Sequence, residues 1–148
     1  MVDSNDQRSE ALRGAAQRRV ELKQALSQVE IAAAAPSGDP GWRDRLLGQL
    51  ELLRIALDQH VEEVEAPDGL LPELLAEAPR LANQIAVVQD EHPMLTRQVA
   101  AAIELATSSA DIPRVRAEVL DALNAIVRHR QAGADLVYEG YSVDIGGQ

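Results

Sequence analysis

Three segments of this chain repeat one spacing, and each carries one of its three histidines. Leu46, Leu50, Leu53, Leu57, His60 and Val64 follow steps of 4-3-4-3-4. So do Leu81, Ile85, Val88, His92, Leu95 and Val99, and again Val115, Val119, Ala122, Ile126, His129 and Gly133. In an α-helix such steps put all six side chains on one apolar stripe, which is buried against other elements. Each histidine therefore points inward. An earlier segment has the same character, with Leu12, Ala15, Arg19, Leu22, Leu26, Val29 and Ala33 at 3-4-3-4 spacing and Arg19 interrupting the stripe.

The breaks between these segments are equally plain. Pro36-Ser-Gly-Asp-Pro-Gly41 stops a first helix expected over about 7–35, since proline cannot continue a helix and glycine turns the chain cheaply. A second is predicted over 42–65. Ala66-Pro-Asp-Gly-Leu-Leu-Pro72 then forms a connector whose Leu70 and Leu71 tuck against the bundle end, with another helical turn or two over 73–77. The third helix, about 78–107, contains Pro93, which removes a backbone hydrogen bond and predicts a bend. Asp111 as N-cap and Pro113 just inside open the fourth, about 112–138. Tyr141, Val143 and Ile145 alternate, which predicts an extended tail over 139–148. The fold class expected is all-α: one domain over 1–148, an antiparallel up-down four-helix bundle.

Composition narrows the function. With 148 residues, 46% of them hydrophobic, the chain can bury a core without staples, and having no cysteine it has neither disulfides nor thiolate metal sites. The first residues are polar and no segment approaches the ~18 apolar residues of a membrane span, so a cytoplasmic protein is expected. The net charge is −10, and residues 36–148 carry nine Lys+Arg against nineteen Asp+Glu. Such a body repels phosphate backbones and anionic lipid, which argues against nucleic acid and membrane. A metal ion, a protein partner or a second copy in a homodimer remain as partners. The aromatics are Trp42, Tyr138 and Tyr141 only, so no base-stacking platform exists. No Ser/His/Asp order, glycine-rich phosphate loop or paired-carboxylate spacing is present, and no enzyme is expected.

Chemistry is concentrated at the stripes. A stripe histidine is a buried polar group in need of a partner, and three in one core can satisfy one another, a water or a metal. Four residues beyond them stand Val64, Thr96 and Gly133, none a ligand. Glu63, about 60° off the stripe at 100° per residue, can swing in beside His60. Glu65, Glu91 and Asp135 point further away and read as solvated. Gly133 costs about 1 kcal/mol relative to alanine in a helix interior. Close packing, against Trp42 or a neighbouring backbone, is the simpler reason for it, and room for a ligand beside His129 the other. The pairs Arg18-Arg19 and Arg128/Arg130 read as solvated faces or ion pairs.

The order His60-Val-Glu-Glu-Val-Glu, Pro-Asp-Gly-Leu-Leu, Asp-Glu-His92-Pro-Met-Leu and Arg-His129-Arg-Gln resembles the hemerythrin-like cation-binding domains over about residues 42–140. The resemblance implies a four-helix bundle that holds iron through histidines and bridging carboxylates, and a role in binding or sensing oxygen or handling iron. His60, His92 and His129 match family ligand positions. The first helix has no histidine, and the positions one turn beyond the three histidines hold Val64, Thr96 and Gly133. The implied site is thus reduced. One reading is a non-enzymatic structural or protein-interaction bundle that needs no cofactor. The other is a metal-binding protein in which His60, His92 and His129, completed by Glu63, hold iron or zinc.

Overall fold

The computed structural model describes residues 4–142, and among them there are helices and no strand. Four long helices, α1 (Ser4–Ala34), α2 (Trp42–Glu65), α4 (Ala82–Ser108) and α5 (Ile112–Val137), form a four-helix bundle, and a short α3 (Leu70–Glu77) covers one end. In the bundle α1 packs on α2 and α5, and α4 packs on the same two.

Each boundary has a local cause. Helix α1 ends before Pro36, and its last carbonyls are not left bare: Arg116 of α5 donates from Nε to Ala33 O and from a terminal nitrogen to Ala35 O, both at 2.9 Å. The Arg116 guanidinium also lies 5.3 Å over the ring of Trp42. Arg43 donates to the carbonyl of Ala106 near the end of α4, so two arginines close this end. Helix α2 stops at Glu65, two residues before Pro67, and the chain turns on Gly69, where a Cβ would run into the carbonyl oxygen of Glu63. Asp111 accepts from the backbone N–H of Arg114 at 3.2 Å to cap α5. Helix α4 continues through Pro93; the carbonyl freed by the proline belongs to exposed Gln89, where water can satisfy it.

Residues 139–142 do not extend as predicted: Tyr138–Ser142 stay helical, in a π-turn. Gly140 is buried against Leu74 and Leu81, and the Tyr141 hydroxyl donates to Glu73 at 2.9 Å, which ties the turn to α3. Residues 143–148 of the expected extended tail lie outside the described residues.

The buried side chains fall into two groups. One runs from Trp42 and Ala106 to Leu57, Leu95 and Ile126, and the other gathers Ala15, Val64, Leu74, Val88 and Leu136 beneath α3. The three histidines stand where the groups meet, between Leu57 and Val64, Val88 and Leu95, and Ile126 and Leu136.

Candidate metal centre

His60 of α2, His92 of α4 and His129 of α5 are 7%, 2% and 3% exposed, the only buried polar residues among those described. Packing of the three helices brings the rings together: a ring nitrogen from each lies within 4.8 Å of the others. The rings meet edge to face, His60 at 5.6 Å from His92 and 5.8 Å from His129 between centroids.

Two carboxylates set the orientation of two of the rings. His92 Nδ1 lies 2.9 Å from a Glu65 oxygen, and His129 Nδ1 2.8 Å from a Glu91 oxygen. An ionised carboxylate only accepts, so each Nδ1 carries the proton and donates it. The consequence falls on the opposite edge. His92 Nε2 and His129 Nε2 face each other at 3.1 Å, and with both Nδ1 atoms protonated each neutral ring presents a lone pair there. Two lone pairs at that distance repel unless a cation stands between them, either an added proton or a metal. Metal–nitrogen bonds of about 2.0–2.1 Å at tetrahedral angles separate two ligand nitrogens by about 3.3 Å, close to what is found. Carboxylates behind ligand imidazoles are also the usual outer layer of a metal site, where they fix the tautomer and raise the basicity of the ligand.

Burial disfavours protonation of His60 and His129. His60 is pushed from 6.5 to about 3, first by desolvation and then by the neighbouring imidazoles and the Arg130 and Arg19 charges. His129 is lowered by burial against the opposing pull of Glu91. Neutral imidazoles are the form that binds metal. His60 Nδ1 is buried without a hydrogen-bond partner among the described residues. The donor set could therefore hold a metal ion. Three imidazoles with no carboxylate among them suit one ion with open coordination positions rather than a carboxylate-bridged pair.

Glu63 does not join this group. Its carboxylate lies against Gly14 of α1, in the space where a larger side chain would begin, and lines an open acidic groove with Glu10, Asp68 and Glu73. The reason is which neighbour packs on which flank. On α2 the flank 60° before the stripe faces α1, so Glu63 leans that way; Glu65, on the opposite flank and at the helix end, reaches α4. Glu65 and Glu91, read from the sequence as solvated, are instead the partners of the buried rings. Asp135 does stay exposed, accepting from Gln131 at 2.9 Å. The only sequence signal for Glu91 was its place directly before His92, on the flank that α5 covers.

Gly133 does not relieve a close contact. Nothing lies within 4 Å of where its Cβ would be, and Trp42 sits at the other end of the bundle. It borders a cavity of about 40 Å³ reaching the histidine layer, which is also lined by Ala15, Arg19, His60, Leu71 and Arg130. Arg18 makes the expected ion pair, with Glu21 at 2.7 Å. Arg19 and Arg130 make none among the described residues. No family model, curated protein or solved structure matches the chain.

Proposed function

We propose that this chain is a hemerythrin-like, antiparallel four-helix bundle that binds one transition metal ion through His60, His92 and His129 and acts as a non-enzymatic metal-binding or metal-sensing protein. The contacts between Arg116 and Ala33 and between Arg43 and Ala106 suit helices that alternate in direction. The observation that carries the metal reading is the 3.1 Å approach of two imidazole Nε2 atoms whose Nδ1 protons are both committed to carboxylates. Glu65 and Glu91 take the part of the outer layer, and iron and zinc both suit the imidazole donors. When bound, the ion would supply a Lewis-acidic centre with vacant positions.

Elemental analysis of protein purified without chelators is the test. One equivalent of iron or zinc is expected, lost on substitution of any one histidine by glutamine. Glu65→Gln and Glu91→Gln should weaken binding by about 10- to 100-fold. Protein that takes up neither metal on titration overturns the reading. The same nitrogen pair favours one alternative, a structural or protein-interaction bundle in which His92 and His129 share a single added proton. That arrangement predicts a strongly downfield N–H resonance in metal-free protein, unaffected by either metal.

A further inference from the structure

His60, His92 and His129 are buried, so an ion cannot reach them while every helix holds its place. The cavity beside them offers no polar path. Its surface is almost wholly apolar, with Val64, Leu70, Leu71, Leu74, Val88 and Leu136 among its walls. A cation that sheds its water there finds nothing in exchange before it meets the imidazoles. Entry therefore requires that the cavity be opened to water.

The wall that opens most readily is α3. Leu70, Leu71 and Leu74 on its inner side close the cavity, while Pro72, Glu73 and Ala76 on its outer side line the open groove. With eight residues it is too short to hold its shape without packing, whereas the long helices that form the other walls have 24 to 31 residues. The chain is non-helical at both of its ends, at Gly69 (φ −84°, ψ −179°) and at Ala78 (φ −135°, ψ 73°), so α3 can lift as a unit on those two residues. The π-turn after α5 fastens it: the Tyr141 hydroxyl donates to Glu73 at 2.9 Å, and Gly140 packs on Leu74.

We infer that α3 is a gate over the histidine layer, with the hydrogen bond from Tyr141 to Glu73 as its latch, and that metal ions enter and leave when it lifts. The inference rests on the metal reading and adds the route to that site and its control. Closed, α3 keeps the imidazoles dry. Lifted, it withdraws three leucines from the cavity and lets water carry a cation to the ring nitrogens. Opening acts on arrival and departure alike, so the latch sets the rate of exchange and not the affinity.

The test uses the whole chain, stripped of metal with chelator. Uptake of zinc, and of iron(II) under argon, is followed by stopped flow, release by transfer to a coloured chelator, and backbone hydrogen exchange is read in parallel. Tyr141→Phe should quicken exchange over residues 70–77, metal uptake and metal release by one common factor of about tenfold, from the loss of one hydrogen bond to a carboxylate. Stoichiometry and affinity should not change. A lock is available because the chain has no cysteine of its own. A Cβ at residue 140 meets Leu74 Cδ1 first and Leu81 Cδ1 at 3.5 Å, so Leu74→Cys removes the first obstacle to Gly140→Cys and sets the two sulfurs together. The oxidised pair should take up metal roughly a hundredfold more slowly than the Leu74→Ala, Gly140→Ala protein, which is unlocked and has no thiol to bind the ion. If neither double variant folds, Tyr141→Phe alone decides. Uptake equally fast in the locked and unlocked proteins, or unchanged in Tyr141→Phe while residues 70–77 exchange faster, overturns the gate and leaves the metal reading standing. Neither ion bound by any of these proteins overturns the metal reading and the gate with it.

Discussion

The two halves of the bundle are built differently. From the 36–41 turn to the histidine layer the core is closed: Leu22, Leu46, Leu50, Leu53 and Leu57 have no exposed surface, and Arg116 and Arg43 cap the helix ends above them. Beyond the histidines the helices are covered by α3 and a π-turn, and a cavity remains. Four buried side-chain nitrogens lack a hydrogen-bond partner among the described residues, and three of them belong to Arg19, His60 and Arg130, residues that border that cavity. The fourth is Trp42 Nε1. One half thus concentrates packing and the other concentrates unmet polar capacity, the usual division between a scaffold and a site that departs from ideal packing for function.

The largest effect that could break this contrast is in the closed half. Leu57→Ala should cost about 4 kcal/mol in chemical denaturation, whereas Leu71→Ala, already bordering the cavity, should cost nearer 2 kcal/mol. Equal losses would erase the difference between the halves. Arg116→Ala should cost about 2 kcal/mol, because two carbonyls lose charged donors and Trp42 loses its cover.

A pH series on metal-free protein tests the layer between the halves. Below about 6.5 the unfolded chain takes up protons that folded His60, near 3, refuses, and His129 is lowered too. Stability is therefore full above the ordinary histidine value and falls as pH drops toward 3, by up to about 1.4 kcal/mol per pH unit for His60 alone. A flat profile between pH 6.5 and 4 in the wild type, or one unchanged in His60→Gln, would remove the buried neutral imidazole from the account. The smallest effect is a gain: Gly133→Ala should stabilise the protein by about 0.5–1 kcal/mol, since the helix prefers alanine and the added methyl meets nothing. A loss of stability would mean that the cavity is tighter than its walls indicate.

Much of this was readable in the chain. Helix α2 and the inward turn of all three histidines follow from a 4-3-4 spacing that needs no knowledge of neighbours. The meeting of the rings was expected too, with His60 and His129 in the fifth place of a six-residue stripe and His92 in the fourth. The carboxylates were not. Glu63 lies closer to the stripe than Glu65 or Glu91 and was the natural ligand, yet it faces α1, while the other two reach across to rings on adjacent helices. Arg19 and Arg130 looked like solvated surface because nothing in either segment reveals that their helices border the same void.

The sequence by itself determined the four long helices and which stripe of each is buried, because periodicity is a property of one segment and burial of an apolar stripe is favourable against any partner. Only the tertiary structure decided what meets what: Glu65 with His92, Glu91 with His129, Arg19 beside Arg130. Those pairings depend on which helix covers which flank, and a flank's neighbour is a relation between segments that no single segment encodes.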